Sequence, residues 1–443
     1  MASTYLTRTQ GTPTSDDIGT YSFWIKRGTL DKINEYLVQN YIDGSNYGYL
    51  RFKGDNQFQH YSSGGGDWQR RTNRLFRDTN AWYHIVLRID TTQSTASDRV
   101  RLYVNGVQET SFSTETNASQ NVNNKLFASG GTLRIGYVSS GTATYFDGCL
   151  SHLHYCDGQS YAPTEFGETD STTGEWKINT TPNVTYGNNG FFIFKDGTNL
   201  SGSTVQDQSG NGNNFTVGGG TLTKTEDNPS NVFATMNALQ YSPSTEFSNG
   251  NLTVKQNAGT GAHRRFTATL GALSGKYYWE VKLISSITDG CTIGIVDGVN
   301  GDYSTFLGQN SNEWGYNLAG DIYHNASAYQ SGLPTYTNGN IINIALDLDN
   351  NYIYFGKNGT WINSGVPTSG ATGTGGYAIT DNIIYHPAIS LFVNTATASF
   401  NFGNGYFGTT AVSSAGTNAS GIGIFEYDVP TGYTALSTKG LNL

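Results

Sequence analysis

The 443-residue chain is about three times the usual domain size of roughly 150 residues, so two or three domains are expected and a stapled miniprotein is excluded. Charged residues make up only 13% where about 25% is usual, which excludes coiled coils and helical bundles, while 56 Gly, 29 Tyr and 22 Phe favour many short strands with tight turns. A net charge of −9 with 25 Lys and Arg leaves too few cations for the basic stripe that nucleic acid requires.

In chain order, residues 1–10 are polar and alternating with no apolar h-region, and no run of 18 apolar residues follows. Neither a signal peptide nor membrane insertion is expected, and synthesis in a cytoplasm is. Alternating segments begin at 20–26 and 47–52. Next comes the only basic cluster, Arg70, Arg71, Arg74 and Arg77, beside Trp68 and Phe76. Arg among aromatics suits an interface anchor or a sugar-acid site; a solvated loop is the plain alternative. In 82–89, Ile85, Leu87 and Ile89 alternate with His84, Val86 and Arg88, and in 99–105, Val100, Leu102 and Val104 alternate with Arg99, Arg101 and Tyr103. Each segment has one core face. Asn105-Gly106 predicts a hairpin returning at Val107.

Segments 133–138 and 149–155 repeat the pattern, so a sandwich is expected. Cys149 and Cys156 stand at opposite parity and ~23 Å apart if extended, too far for a bridge, and with Cys291 read as free, mostly buried thiols. His152, His154 and Cys156 share a strand face at period two, and a His-x-His pair can chelate zinc. Leu150 falls on the same face, so an ordinary strand without metal is the expectation.

Segments 21–26 (YSFWIK), 82–88 (WYHIVLR), 101–107 (RLYVNGV), 133–136 (LRIG) and 146–150 (FDGCL) resemble, in order and spacing, the strands of a concanavalin A-like or laminin-G-like jelly roll. Segments 190–194 (GFFIF) and 207–213 (DQSGNGN) resemble the opening hairpin of such domains, yet follow the other strands. First and last strands are neighbours in a jelly roll, so a permuted order still closes the sandwich, with the last strands in 186–225. The first domain is then 1–225. The turn 207–213 is rich in oxygens and is a candidate calcium site, though it has one carboxylate and turn chemistry alone explains it.

A polar stretch with Asn and Pro predicts a linker over 226–239 and a second domain over 240–443. There, 275–281 (GKYYWEV), 291–295 (CTIGI), 314–316 (WGY), 341–350, 352–361 (YIYFGKNGTW) and 386–392 (HPAISLF) resemble the SPRY domain. Ile342, Ile344, Leu346 and Leu348 share one face, and Asn358-Gly359 signals a hairpin. The fold class expected is all-β, two antiparallel β-sandwich (jelly-roll) domains in tandem. Trp314, Tyr316, Tyr323, His324, Tyr329 and Tyr336 crowd the stretch where the resemblance places partner-binding loops. Aromatic rings stack on sugars or fill peptide pockets, and half of these are compatible with core positions.

Segment 426–436 (EYDVPTGYTAL), with 209–213 (SGNGN) and 229–235 (PSNVFAT), resembles virion proteins of tailed phages, particularly marine ones. That implies a virion location. Jelly rolls include glycosidases, which need paired carboxylates; Glu168 and Asp170 have the first spacing, but position 173 is Thr. No Walker A, Gly-x-Ser-x-Gly, Cys-x-x-Cys or His-Glu-x-x-His sequence occurs. The expectation is a non-enzymatic adhesin or fibre-like component binding host glycan or protein, with no cofactor. The alternative is a capsid decoration or tail-assembly protein binding other virion proteins; a polysaccharide depolymerase lacks its carboxylates. A homo-oligomer is expected.

Overall fold

The computed structural model describes residues 3–442 except 29, 31, 65, 139–143, 197–199, 240–243, 260 and 299–303. Strands hold 45% of it and helix 4%, an all-β fold of antiparallel sheets. No described helix is long and apolar enough to cross a membrane. The chain divides into two compact units, Met1–Lys224 and Thr225–Leu443.

In the first unit a six-stranded sheet runs in the order Phe191–Ile193, Gly148–Asp157, Ile18–Arg27, Trp82–Asp90, Val100–Val104, Val107–Glu109. Ile85, Leu87, Ile89, Val100, Leu102 and Val104 enter the core, as their alternation requires. Asn105 (φ 49°) and Gly106 (φ 78°) both take left-handed conformations, the type I′ turn whose twist matches the strands it joins. The facing sheet has ten strands and includes, side by side, Trp68–Leu75, Gln57–Ser62, Asn46–Lys53, Asn34–Asp43, Thr132–Ile135, Tyr5–Thr9 and Phe215–Gly219. The late strands thus join both sheets, Phe191–Ile193 beside Gly148–Asp157 and Phe215–Gly219 beside Tyr5–Thr9. Buried Asp157 ties them to the start of the chain, accepting hydrogen bonds from the backbone N–H of Thr14, Ser15 and Asn189.

One strand departs from simple alternation. The register of Gly148–Asp157 against Ile18–Arg27 shifts between Ser151 and His154, and His152 has φ 47°, so the strand bulges there. Leu150 therefore packs toward the core with Leu153 and Tyr155. It does not share the face of His154 and Cys156, which the uninterrupted period predicts. All three cysteines are free thiols.

In the second unit, the larger sheet places Thr253–Gln256, Thr397–Asn401, Lys276–Ser285, Ile341–Asp347 and Tyr352–Lys357 side by side. The other runs Arg264–Thr267, Tyr385–Leu391, Thr292–Asp297, Trp314–Asn317, Asp321–His324, Ser327–Gln330. Ile342, Ile344, Leu346 and Leu348 face the core between them. Asn358 (φ 48°) and Gly359 (φ 79°) turn the chain from Tyr352–Lys357 into Thr360–Trp361.

Much of the stretch expected as a linker packs into this unit: Ala234 and Met236 lie in its core, and Phe233 bridges to Ser437. Apolar side chains here outweigh the polar composition around Pro229. Separately expressed fragments 1–224 and 225–443 are expected each to unfold cooperatively. A fragment starting at residue 240, lacking Phe233, Ala234 and Met236, is expected to melt well below one starting at 225; equal melting temperatures would mean that the stretch is a linker after all.

Candidate functional site

The outer face of the six-stranded sheet in the first unit gathers His84, His152 and His154. His84 stacks between Trp24 (4.8 Å) and Trp176 (5.9 Å). The Trp176 indole N–H donates to His84 Nδ1 at 2.9 Å, so the neutral ring carries its proton on Nε2 and donates it to Ser22 Oγ at 2.9 Å. Ser22 is buried and cannot pass its own proton to this histidine, so the pair is not an activated nucleophile. His152 Nδ1 meets Ser151 Oγ at 2.8 Å, and His154 Nδ1 meets the Tyr186 hydroxyl at 2.9 Å. Burial, with a smaller push from neighbouring His152, lowers His84 to about 3, and burial and Lys195 lower His152 to about 4. His154 lies well below its ordinary value for the same first reason. Cys156 sits beside them among Val86 and Phe166, and no group of three metal-ligating side chains forms among the described residues.

Other sequence-level candidates have definite places. Trp68 and Arg70 are buried; Arg70 donates to Thr116 O and Asn117 Oδ1. Arg71 pairs with Asp55 and Arg74 with Glu109, while Arg77 is exposed. Alternation thus scatters the basic cluster over both sides of Trp68–Leu75 and the loop after it. The Asp207 carboxylate accepts from the N–H groups of Phe192, Ser209 and Asn213 and from Ser209 Oγ, and Arg8 donates to Asn213 Oδ1. Four donors and an adjoining guanidinium disfavour calcium at the 207–213 turn. Glu168 and Asp170 both lie near Lys177, at 3.8 and 2.9 Å; the Lys177 hydrogen bond and the N–H groups of Thr173 and Thr172 hold Asp170 well below the usual carboxylate range.

In the second unit the aromatic set divides. Tyr316 and Tyr336 belong to the core; the Tyr336 hydroxyl donates to the carbonyls of Cys291 and Tyr316. Tyr323 packs edge-on against Phe306 at 5.3 Å and beside Gly308, where φ is 102° and a Cβ would stand 2.6 Å from that of Tyr323. Trp314 belongs to the same core and is only 3% exposed, so it is not the open binding ring its sequence position suggested, and it meets the last two residues of the set from within. Trp314 and His324, opposite one another on adjacent strands, stack at 3.9 Å and 8°. Tyr329 meets Trp314 edge-on at 5.0 Å, and Tyr377, which carried no signal of its own in the sequence, completes the group 5.8 Å from Trp314. His324 Nδ1 donates to the Glu313 carbonyl. The Glu313 carboxylate is held by Arg265 at 2.7 Å and by the N–H groups of Gly308 and Gln309, so the loop that delivers Trp314 is fixed from within. Tyr329 remains 63% exposed.

A further outward set was also legible as period two but is not basic or clustered enough to stand out: Tyr47, Tyr49 and Arg51 alternate with core residues Leu50 and Phe52, and Gln59 and Tyr61 flank buried His60.

Residues 2–159 match the family model described as Concanavalin A-like lectin/glucanases superfamily, and residues 276–405 match the SPRY domain. Among solved structures, the SPRY domain of human HERC1 is similar at 18% identity, covering 37% of this chain and 96% of that one, with a TM-score of 0.30. Domain 4 of AbnA, a GH43 extracellular arabinanase from Geobacillus stearothermophilus in complex with arabinotriose, is similar at 19% identity, covering 33% and 64%, with a TM-score of 0.25. An SAP-like pentraxin from Limulus polyphemus is similar at 17% identity, covering 36% and 72%, with a TM-score of 0.27. The search of curated proteins found no match.

The buried histidines are expected to make the first unit acid-sensitive. Unfolded, each titrates near ~6.5; folded, each stays neutral to a much lower pH. Their contribution is therefore full above pH ~6.5 and is lost as the pH falls toward about 4, because only the unfolded chain takes up the protons. His154 stacks on Phe192 at 3.9 Å, so His154→Phe keeps an aromatic ring there. Between pH 7 and 5 the variant is expected to lose about 1–2 kcal/mol less stability than the parent in urea titrations. An identical fall in both would assign the acid sensitivity to other groups.

Proposed function

With a concanavalin A-like/laminin G domain followed by a SPRY domain in one chain, we propose that the protein acts by binding and not by catalysis, as a virion component of a tailed phage that contacts host-surface glycan or protein. Tyr329 carries the reading. Its ring is exposed, yet it is braced by Trp314, His324 and Tyr377, so a partner that covers it gains contact area with little further ordering. Loops and edges of a rigid sandwich are where recognition usually resides. The phage context is supported by the resemblance of segments 209–213, 229–235 and 426–436 to virion proteins.

Among the described residues, the groups singled out for catalysis are engaged in other contacts. Asp170 is tied to Lys177, Ser22 faces a histidine of the wrong tautomer, and Glu280, which burial raises to about 7, is engaged with the N–H groups of Glu426 and Tyr427. One observation favours a second reading, a decoration or tail-assembly role. Tyr329 lies on Ser327–Gln330, the last strand of its sheet, whose outer edge pairs with no other strand among the described residues and is able to accept one from a neighbouring virion subunit or a second copy of this chain.

Tyr329→Ala is expected to leave the thermal melt nearly unchanged and to weaken adsorption to host cells about 30-fold or more, the ~2 kcal/mol of a hot-spot ring. Normal adsorption together with failed incorporation into particles would favour the assembly role, and a variant normal in both would remove this surface from consideration. Reducing-end assays on host surface polysaccharide are expected to show no turnover; sustained hydrolysis abolished by Glu168→Gln would establish an enzyme instead.

A further inference from the structure

Residues 161–186 follow the stretch matched to the concanavalin A-like family and cover part of the outer face of the six-stranded sheet. Both ends of the cover are tied down. The Tyr161 N–H donates to Thr20 Oγ1, and the Tyr186 carbonyl accepts the Asp157 N–H. Between those ends the cover is bonded largely to itself: Gly167–Thr169 pairs with Trp176–Ile178, Asn179 donates to the carbonyls of Glu165 and Phe166, and Lys177 pairs with Glu168 and Asp170. Residues 171–185 are half-buried or exposed throughout. A segment with so few buried anchors opens at a lower free energy than the sheet beneath it.

Two histidines of the sheet hold its middle and its far end. The Trp176 indole N–H donates and cannot accept, so its bond to His84 Nδ1 at 2.9 Å requires that nitrogen to be unprotonated. A second proton on His84 sets N–H against N–H. His154 meets the Tyr186 hydroxyl at 2.9 Å and lies between Phe166 of the cover at 5.2 Å and Phe192 at 3.9 Å, where an imidazolium charge is stripped of water. The titratable groups around the pair give such a charge no relief. Lys26 and Arg88 share the face from the strands Ile18–Arg27 and Trp82–Asp90, and Arg88 donates to Ser160 Oγ. His152 and Cys156 stand on the strand of His154, and Lys195 and Asp196, beyond Phe191–Ile193, act on His152. The cover itself presents Tyr161 and Tyr186, and its carboxylates at 168 and 170 are taken by Lys177.

We propose that residues 161–186 are a lid released by acid: with the cover down His84 and His154 stay neutral, and with it lifted both take up protons in water, so protons draw the lid open while the sandwich beneath stays folded. Lifting it bares Val86 and Cys156 under Phe166 and the ring of His84 under Trp176. In the closed form His84 is lowered to about 3 and His154 lies well below its ordinary value, whereas a solvated histidine titrates near ~6.5. Going from pH 7 to pH 5 therefore favours the lifted form about 25-fold per histidine and about 600-fold for the two together. The lid belongs to the first unit and does not depend on the Tyr329 reading.

Cys156, packed under Phe166, reports the opening. The full chain is labelled at pH 7, 6 and 5 with 4,4′-dithiodipyridine, which reacts with thiols in mild acid, each rate is divided by that of the urea-unfolded chain at the same pH, and the labelled cysteine is identified by mass spectrometry; deuterium exchange follows Trp82–Asp90 in parallel. The normalised rate at Cys156 is expected to rise several hundredfold from pH 7 to pH 5 while Trp82–Asp90 keeps its protection. His84→Gln and His154→Phe, each checked by thermal melt, are each expected to cut that rise to about 25-fold. Trp176→Phe, which removes the indole donor and keeps a ring, is expected to raise labelling at pH 7 and leave the dependence on pH intact. A rate at Cys156 that does not change with pH in the parent would overturn the proposal, as would a parent-like rise in the folded histidine variants. So would loss of protection in Trp82–Asp90 in step with Cys156, which would assign the acid response to unfolding of the whole unit; these parent measurements decide the matter even if a histidine variant fails to fold.

Discussion

A sandwich of two sheets buries one face of each and leaves two outer faces, so every outer face has to be covered by more chain or made of side chains that tolerate water. Both units answer with a covering segment secured by one buried carboxylate. In the first, Phe166, Tyr161 and Tyr186 pack over Val86 and Cys156, and Asp157 accepts the Asn189 N–H where the cover returns to the sheet. In the second, Phe425, Val429 and Tyr433 pack over Tyr278 and Tyr354, and Glu280 accepts from the N–H groups of Glu426 and Tyr427 and from the Tyr278 hydroxyl. Burial raises Glu280 to about 7 even against these donors, so near neutral pH this carboxyl stands between its charged and neutral forms.

Buried ion pairs fix the loops. Arg27 and Glu35 meet with both side chains fully buried, as do Arg265 and Glu313. Such pairs contribute little net stability compared with apolar replacements, but losing one partner costs ~3–5 kcal/mol because the other charge is stranded. Their effect here is positional. Glu313 gathers the N–H groups of Gly308 and Gln309 and stands one residue before Trp314, so the aromatic group of the second unit rests on a loop pinned by that carboxylate. Arg27 also donates to Asn56 Oδ1 and Phe76 O, tying the six-stranded sheet to the chain on either side of Gln57–Ser62 and Trp68–Leu75.

The outward tyrosines of the two units differ because their rings are supported differently. Tyr329 projects from an edge strand and keeps much of its area in solvent, whereas Tyr47, Tyr49 and Tyr61 lie within a sheet and lean on each other. The first arrangement leaves apolar area open and the second covers much of it. Composition alone counts both as tyrosine.

The sequence by itself determined the local elements. Alternation gave the core faces of Trp82–Asp90, Val100–Val104 and Ile341–Asp347, and Asn-Gly pairs gave both hairpins, because period and turn chemistry are properties of neighbouring residues. That Glu168 and Asp170 are followed by Thr at position 173 was equally local. Only tertiary structure decided which face of Trp68–Leu75 is buried, sending Trp68 and Arg70 inward and Arg71 outward, and only it revealed the bulge at His152 that separates Leu150 from His154. It also drew Phe233, Ala234 and Met236 into the second unit and set Arg134, Gln39, Tyr49, Tyr61 and Gln69 in one row. Period two says that neighbours face opposite ways but not which way is in. Register between strands far apart in the chain is fixed by the packing of the whole sheet.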